Sequence, residues 1–595
     1  MLKQSQVELT TEEPANGQDS GSQPRASLSR RSFLSSAAAA TMLSTTATRP
    51  AFARVQTATE VASVDISSFI DVVRVPDHAF VYAGLESRAD LVPTAGVWRG
   101  KGIALRTVAA DDALTIYLSS PTVAPTHIHL RWSAKVDPSL LVLGDHWERS
   151  YGDLEWRHLI PERVMPWYFA TTEPHACHVY GVKTGARSLC FWQLDGEGVS
   201  LWLNVSNGGS GVHLGNRELL AAKVVARKGQ AGEDAPSAIR SFCKQMCSKP
   251  SLSLAPIYGT NDWYYAYGKN TAGQILRDTE LVASLSKGNT VRPFSVIDAG
   301  WENGPPAFPD MAKLAAKIRG KQVRPGIWVR PLKAEANTPA HLLLPAARFA
   351  SIADQRGNPA VDPTHPEAQA FIRARIQQVA EWGYDLIKHD FSTYDLLGQW
   401  GFQMGASPTL PGWSLQDTSK TNAEVILDLY SLIRDAAGTK TVILGCNTIG
   451  HLTQGIFEAQ RTGDDTSGKL WERTRRMGVN TLAYRLPQHK TFFVNDADCV
   501  GLTTAIPWEL NKQWLDLIAR TGTALFISPQ PEAIGQEQKD AIQQAFARVA
   551  SGAVSANPAD WFDSTVPELW SPTVGERTQL RYRWCEPNGA NAFTV

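Results

Sequence analysis

A lysine and an aspartate stand two residues apart at the end of a short apolar run, in the segment Leu386-Ile387-Lys388-His389-Asp390. Side chains alternate along a strand, so Lys388 and Asp390 share one face and His389 points to the other. A neighbouring ammonium group stabilises the ionised form of a carboxyl group. A glycosidase that uses covalent catalysis needs an ionised carboxylate as its nucleophile, and Asp390 at a strand end could supply it. The alternative is that Lys388 and Asp390 form a purely structural ion pair.

Two adjacent aspartates, Asp464 and Asp465, follow a second apolar run that ends at Arg461. A general acid must hold a proton at the working pH, and a like charge nearby raises the pKa of a carboxyl group. We therefore expect mutual repulsion to keep one of the two protonated. A capping turn before the helix that contains Trp471 is the structural alternative.

Further carboxylates follow other apolar runs, at Asp298, Asp496 and Asp498. Together with Asp390 they offer the oxygen ligands that a hard divalent cation takes. Lys388 argues against such a site, because a neighbouring ammonium group competes with the metal ion. The sequence therefore predicts neither a metal site nor a cofactor.

The elements that must position these residues begin near residue 256, where short apolar segments start to alternate with helical patterns. Eight strands are predicted, near Ile257–Thr260, Pro293–Asp298, Arg324–Val329, Tyr384–Asp390, Thr441–Cys446, Gly455–Arg461, Thr491–Asp496 and Thr523–Ser528. Eight such repeats over about 275 residues predict a closed (β/α)8 TIM barrel, whose active site lies at the carboxyl ends of the strands. An open doubly wound sheet is the alternative, but no glycine-rich phosphate motif follows any strand.

The rest of the chain divides around this barrel, which we place at residues 251–550. Short alternating segments predict a β-sandwich over residues 54–250, and weak strand signals predict a short C-terminal β cap over 551–595. Residues 1–53 carry the motif Ser29-Arg30-Arg31-Ser32-Phe33-Leu34, an apolar run and the segment Ala51-Phe52-Ala53. This order is typical of a twin-arginine signal peptide, so we expect a periplasmic or secreted protein.

The net charge and the cysteine spacing exclude several classes of function. The 58 basic and 58 acidic residues give a net charge of +0, which argues against binding to nucleic acid or to an anionic membrane surface. After signal cleavage no stretch is long enough to span a bilayer. The seven cysteines show no zinc-binding spacing, and the sequence does not predict an oligomeric state.

Between roughly Pro256 and Ser528 the motifs resemble those of the melibiase clan of retaining glycoside hydrolases, which includes the α-galactosidases of families 27 and 36. The family's strand-four motif is apolar-Leu-Lys-x-Asp, so the resemblance implies that Asp390 is the nucleophile and that Lys388 binds a sugar hydroxyl. The family's acid/base follows an arginine by four positions. From Arg461 this gives Asp465, with Asp464 as the alternative, and it places Arg461 near the sugar's 2-hydroxyl.

Three further segments carry the resemblance. Segment 296–301 resembles the family's Ile-Asp-Asp-Gly-Trp, which makes Asp298 a ligand of sugar hydroxyls. Segment 261–263 resembles Asn-x-Trp, whose tryptophan, here Trp263, packs on the sugar. Segment 326–328 resembles the family's third strand. Trp301 and Trp328 are then either sugar platforms or packing residues of the barrel.

Two positions depart from the family pattern. Ala299 replaces the second aspartate of strand two, which reads the axial 4-hydroxyl of galactose, and Ser528 lacks the usual following aspartate. The resemblance therefore implies an exported retaining hydrolase that acts on glycosides or oligosaccharides. It would remove terminal α-linked galactose or a related sugar, such as a pentopyranose or an N-acetylated galactose, by double displacement. A non-catalytic sugar-binding protein and a transglycosylase with the same residues are the alternatives.

Overall fold

The structure is a computed structural model that describes residues 69–84, 86–173, 176–552, 556–572 and 578–591. The predicted signal peptide, residues 1–53, lies outside the described residues. Within these ranges, no helix combines the length and the apolar character needed to cross a bilayer.

A sheet of 13 antiparallel strands precedes the barrel. Its strands are β1 His78–Tyr82, β2 Arg88–Thr94, β3 Val97–Gly100, β4 Ile103–Ala110, β5 Ala113–Ser119, β6 His127–Ser133, β7 Leu141–Gly144, β8 Met165–Pro166, β9 Tyr168–Glu173, β10 Ala176–Val182, β11 Leu189–Asp195, β12 Gly198–Asn204 and β13 Leu219–Arg227. Their spatial order is β7-β9-β10-β13-β5-β4-β3-β2-β1-β6-β12-β11-β8. The ring of Phe169 on β9 lies 5.6 Å from that of Trp192 on β11, so the two ends of the sheet pack on each other as a β-sandwich.

Helix α1, Ala235–Met246, connects the sandwich to the barrel and packs against β10. The side chain of Asp234 caps its first turn by accepting the backbone N–H of Ser237 at 2.7 Å. The apolar residues of the helix, among them Phe242 and Met246, are buried.

The barrel is closed by eight parallel strands in sequence order. These are β14 Tyr258–Asn261, β15 Phe294–Ile297, β16 Arg324–Val329, β17 Leu386–His389, β18 Val442–Gly445, β19 Ala459–Arg461, β20 Val494–Leu502 and β21 Ala524–Pro529. Alternation along β17 places Leu386 in the apolar interior of the barrel and Ile387 in the outer core between strands and helices. Each predicted strand is present, and the predicted fold class is confirmed.

The helices of the barrel follow its strands, with short turns between some of them. They are α2 Trp263–Ala266, α3 Ala272–Leu285, α4 Met311–Gly320, α5 Ile352–Gly357, α6 Pro366–Glu381, α7 Ser392–Leu397, α8 Asn422–Ala437, α9 Gly450–Thr453, α10 Trp471–Arg473, α11 Thr481–Arg485, α12 Trp508–Thr521 and α13 Gln536–Ser551. A π-helix, Thr474–Asn480, joins α10 to α11. Short 3-10 turns lie at Trp301–Asn303, Ala340–Leu342, Ala346–Arg348, Gly401–Gln403, Leu486–Gln488 and Pro531–Ala533.

Strand β20 is longer than predicted. The sequence places its end at Asp496, but the strand runs to Leu502 because a bulge shifts its register between Asp496 and Cys499. Asp498 takes a left-handed backbone conformation within this bulge, with φ of 72°. Asp496, Asp498 and Cys499 all line the barrel interior, and the bulge breaks the strict alternation that would turn Cys499 away from the face of Asp498.

The C-terminal segment forms a two-stranded antiparallel sheet of β22, Leu569–Trp570, and β23, Leu580–Arg581. Trp584, beyond β23, is buried, and its backbone oxygen accepts the indole N–H of Trp471 at 2.6 Å. The short predicted C-terminal β segment is therefore present and is attached to the barrel through α10.

Candidate active site

Asp390 lies directly after β17, at the carboxyl end of the barrel, and only 8% of its surface is exposed. Its Oδ1 accepts the backbone N–H groups of Phe391 at 2.8 Å and Asn447 at 3.0 Å. Its Oδ2 accepts the indole N–H of Trp328 at 3.0 Å. These three donors fix the plane of the carboxylate.

The charge of Asp390 is set by opposing effects. Burial acts to raise its pKa, but the cations of Arg149 and Lys388 and the hydrogen bond from Trp328 outweigh burial. The pKa of Asp390 therefore lies below its usual value, and the carboxyl group is ionised at neutral pH.

Lys388 forms its ion pair with Asp298 and not with Asp390. Its Nζ lies 2.7 Å from Asp298 Oδ2, and both side chains are buried. The same oxygen accepts the amide N–H of Asn261 at 2.7 Å, while Asp298 Oδ1 accepts the N–H of Ala299 at 2.8 Å. A structural ion pair between Lys388 and Asp390, the alternative from the sequence, is therefore not what forms, although Lys388 still lowers the pKa of Asp390 through space.

Asp464 and Asp465 lie on the loop after β19 but have different surroundings. Asp464 sits between two arginines, with Oδ1 2.8 Å from Arg149 and Oδ2 3.0 Å from Arg473. Asp465 lies 3.2 Å from Arg461 and 3.7 Å from Arg149, and 39% of its side chain is exposed against 20% for Asp464. Asp464 is thus held between two arginines, whereas Asp465 is the more accessible of the two side chains.

The expectation that repulsion keeps one of these aspartates protonated is wrong for Asp465. Burial acts to raise its pKa, but Arg461, Arg149, Lys388 and Arg473 lower it to about 2. These cations outweigh the neighbouring carboxylate, so Asp465 is ionised in the free protein.

The loop that carries both aspartates packs closely on the π-helix. A Cβ added at Gly463 would lie 2.2 Å from the backbone oxygen of Met477, so only glycine allows this approach. The preceding residue, Thr462, accepts the backbone N–H of Ser150 at 3.0 Å, and Asp464 donates its own N–H to the oxygen of Ser150 at 2.9 Å. The loop is therefore held on both sides.

Arg461 has a fully buried side chain that binds two carboxylates. Its Nη2 lies 3.2 Å from Asp465 and 2.9 Å from Asp498 Oδ2, and its Nη1 donates to the sulfur of Cys446 at 3.3 Å. Asp498 also accepts the N–H and hydroxyl of Thr466 at 2.8 and 3.0 Å. Arg461 thus joins β19, β18 and the bulge of β20 at the base of the site.

The three tryptophans that the sequence singled out have different roles in the structure. Trp328 binds the candidate nucleophile through its indole N–H. Trp301 donates its indole N–H to the backbone oxygen of Trp328 at 2.8 Å and packs edge-on against Trp382 at 5.8 Å. Trp263 is half-buried and packs at 5.7 Å against Tyr267. Trp301 and Trp263 therefore both pack against aromatic neighbours, and their contact with a sugar stays a prediction.

Sequence reasoning missed a loop of the β-sandwich that enters the barrel site. Arg149, between β7 and β8, is buried and reaches both aspartates of the β19 loop. Glu148, beside it, is also buried and accepts a hydrogen bond from the side-chain amide of Asn447. Glu148 and Arg149 are adjacent charged residues that follow an apolar strand, and this pattern could have marked them as candidate site residues. Nothing in their spacing connects them to the barrel.

The site's own cations argue against the alternative of a divalent metal site. An oxygen of Asp298 already binds the ammonium group of Lys388, and an oxygen of Asp498 already binds the guanidinium group of Arg461, so a metal ion would have to compete with both cations. In the described part of the chain, a set of side chains with metal-ligand spacing is found elsewhere, at His341, His365 and Glu367. There, His365 Nδ1 caps helix α6 by accepting the N–H of Glu367 at 3.1 Å.

No protein-family model matches this sequence, and no curated protein matches it either. Among solved structures, the chain is similar to TtGalA, an α-galactosidase from Thermus thermophilus in complex with p-nitrophenyl α-D-galactopyranoside. The TM-score is 0.54 at 17% identity, over 81% of this chain and 97% of that one. The complex of TtGalA with stachyose gives a TM-score of 0.51 at 16% identity, over 77% and 99%. The α-galactosidase from Lactobacillus brevis gives 0.53 at 11% identity, over 84% and 72%. At these identities the likeness establishes a shared fold.

Proposed function

We propose that this protein is a retaining glycoside hydrolase of the α-galactosidase type, which removes a terminal α-linked galactose or a related sugar. The observation that carries the proposal is the buried, ionised carboxylate of Asp390 beside a second carboxylate, Asp465, at the carboxyl end of the barrel. The shared fold with α-galactosidases supports it, since two of those structures hold a galactoside or stachyose. An oligosaccharide or simple glycoside is accordingly the proposed substrate.

The hydrogen bonds of Asp390 indicate which of its oxygens attacks. Oδ1 accepts two backbone N–H groups, while Oδ2 accepts only the indole N–H of Trp328. A carboxylate oxygen has two in-plane lone pairs, so Oδ2 keeps one for the anomeric carbon. Its attack forms the covalent glycosyl-enzyme as the bond to the leaving oxygen breaks.

Asp465 is proposed as the acid/base rather than Asp464, because the arginine contacts of Asp464 are shorter, at 2.8 and 3.0 Å against 3.2 and 3.7 Å, and its side chain is less exposed. In the free protein Asp465 is ionised, so it must take up a proton before the leaving oxygen departs. A bound sugar would exclude water from its exposed part, and loss of solvent raises the pKa of a carboxyl group. After donating its proton, Asp465 would accept one from the water that hydrolyses the intermediate.

Ala299 bears on which sugar the site binds. The resemblance implies a carboxylate at this position, but an alanine side chain offers no hydrogen bond to an axial 4-hydroxyl. A site that loses a polar contact of this kind changes its preference among sugars by a large factor. We include the related sugars N-acetylgalactosamine and arabinopyranose among the proposed donors. Both keep the axial 4-hydroxyl, so a glucose donor, which lacks it, tests the effect of Ala299.

Export is part of the proposal and depends on residues 1–53 alone. The paired arginines Arg30 and Arg31, the apolar run and the Ala51-Phe52-Ala53 segment support transport by the twin-arginine pathway. The mature protein would then act in the periplasm or outside the cell.

The test is hydrolysis of a panel of p-nitrophenyl α- and β-glycosides of galactose, N-acetylgalactosamine, arabinose and glucose. The mature chain is compared with Asp390→Ala, with and without a chelator. We expect release from one α-linked donor, loss of that release in Asp390→Ala, no effect of the chelator, and a first product of retained anomeric configuration by NMR. A folded protein that hydrolyses no donor, or an Asp390→Ala variant with full activity, would overturn the proposal.

A further inference from the structure

We propose that Glu148, on the β-sandwich, is a positioning residue for the nucleophile Asp390 and acts through Asn447 of the barrel. The inference rests on the proposed function, because it assigns Asp390 the role of nucleophile. It adds a residue that the barrel motifs do not contain, and it makes the sandwich part of the catalytic unit.

Glu148 lies in the loop between β7 and β8, and only 2% of its surface is exposed. Each of its oxygens has a partner. Oε1 accepts the hydroxyl of Tyr151 and, at 3.0 Å, the backbone N–H of Gly401, while Oε2 accepts the side-chain amide of Asn447. A carboxylate with three donors inside the protein is held in one orientation.

Asn447 follows β18 and is completely buried. Its backbone N–H donates to Asp390 Oδ1 at 3.0 Å. Its side-chain oxygen accepts the N–H of Tyr394 at 3.0 Å, and its backbone oxygen accepts the N–H of Thr393 at 3.1 Å. The bond from Tyr394 fixes the amide orientation, so the amide N–H must point at Glu148.

This arrangement connects the sandwich to the reacting atoms in two steps. Glu148 holds the side chain of Asn447, and the backbone of Asn447 holds one oxygen of Asp390. If the first contact is lost, the buried amide of Asn447 has no acceptor, and the peptide that donates to Asp390 is free to shift. A small displacement of a reacting group lowers the rate of a chemical step more than it weakens binding.

The contact can be tested by reversing its polarity. In Glu148→Gln, the oxygen of the new amide still accepts from Gly401, so its NH2 group faces the NH2 group of Asn447. In Asn447→Asp, two carboxylates face each other, and they share a proton only at low pH. The double variant restores a donor opposite an acceptor while the total charge remains that of the wild type.

The assay is hydrolysis of p-nitrophenyl α-D-galactopyranoside, or of the p-nitrophenyl glycoside that the panel identifies. For Glu148→Gln we expect kcat to fall on the order of 100-fold, with KM changed by no more than about 3-fold. For Asn447→Asp we expect activity to decline as pH rises. The double variant is expected to recover at least about 10-fold in kcat over Glu148→Gln.

Glu424→Gln is the matched control, because Glu424 also joins the two domains through a carboxylate, bound by Arg217 at 2.7 Å. We expect it to leave kcat unchanged. Additive losses in the double variant, or an unchanged kcat in folded Glu148→Gln, would overturn the inference. A wild-type protein that hydrolyses no glycoside would instead overturn the proposed function, so the two failures are distinguishable.

Discussion

Arg149 acts on both candidate catalytic carboxylates from outside the barrel. Its Nη1 lies 3.7 Å from Asp465 Oδ1, and its charge is the foremost of those that lower the pKa of Asp390. Replacing it with methionine removes the charge and keeps a similar volume in the buried loop. Asp464 remains paired with Arg473 in this variant.

The size of the effect follows from the distance. Two unit charges 3.7 Å apart attract by about 4.5 kcal/mol at a dielectric constant of about 20 and by about 1.1 kcal/mol in bulk water. With 39% of its side chain exposed, Asp465 is screened by solvent, so the lower part of this range applies. About 1–2 kcal/mol corresponds to a rise in pKa of roughly one unit.

The assay is the pH dependence of kcat on p-nitrophenyl α-D-galactopyranoside or the best donor of the panel, because kcat reports the pKa values of the complex in which bound sugar lets Asp465 take up its proton. Loss of a cation makes both carboxylates bind protons more tightly. The acid limb, where Asp390 must be ionised, moves to higher pH, and so does the alkaline limb, where Asp465 must be protonated. Because the pair titrates together, the prediction is that both limbs rise by roughly one pH unit in Arg149→Met.

Two variants separate charge from packing. Arg149→Lys keeps the cation, so its limbs should stay within a few tenths of a pH unit of the wild type, allowing roughly for the longer ion-pair distance. Arg106→Met removes an exposed arginine of the same sandwich that pairs with Glu218, and should move neither limb. The reasoning would be refuted if neither limb of the pH profile moved in Arg149→Met, or if the limbs moved as far in Arg149→Lys as in Arg149→Met.

Three other predictions concern residues at the carboxyl end of the barrel. Asp465→Asn should lower kcat by about 100-fold or more on glycosides with poor leaving groups, and far less on aryl donors whose phenol is acidic. Asp464→Asn should change kcat on the two donor types by the same factor. Steady-state kinetics on both donor types test the assignment of the acid/base. Trp328→Phe removes the donor to Asp390 Oδ2 and should lower kcat/KM about 10-fold, and an unchanged value would contradict that role. Burial and the charge of Asp298 raise the pKa of Asp262 to about 7, so the native protein holds a proton that the unfolded chain releases near pH 4. The wild type should therefore lose stability as pH rises from about 4 to about 7. In Asp262→Asn the midpoint temperature of thermal unfolding should change less with pH over this range. If the midpoint temperatures of the two proteins change equally with pH, the prediction is wrong.

The barrel could be predicted from the sequence because its strands are short apolar runs that end in charged residues. Strand β17 illustrates this, since Leu386 faces the interior and Asp390 follows at the rim. The run is apolar because parallel strands are covered on both sides, and the polar residue comes where the strand leaves the core. The length of β20 could not be predicted, because the strand continues past a bulge, where Asp498 pairs with Arg461, and no alternation in the sequence marks that bulge.

The choice between Asp464 and Asp465 could not be made from their spacing alone. It depends on Arg149, whose contact with Asp464 spans two domains, and on Arg473 of α10. The same cations explain why repulsion between the two aspartates was the wrong expectation. The contact of Glu148 with Asn447 joins residues 299 positions apart, and no local pattern encodes such a contact.

The distribution of charge explains why the sandwich loop belongs to the site. Within the barrel, Lys388 is paired with Asp298, and the shortest ion pair of Arg461 is to Asp498. Asp390 and Asp465 are two further ionised carboxylates, and the charge of Asp465 acts to raise the pKa of Asp390. Two like charges at close range destabilise the folded state unless a cation lies between them. Arg149 contributes such a charge, since it lowers the pKa of both carboxylates together with Lys388, and it comes from the same loop that holds Asn447 through Glu148. The proposed catalytic unit therefore includes both the sandwich and the barrel.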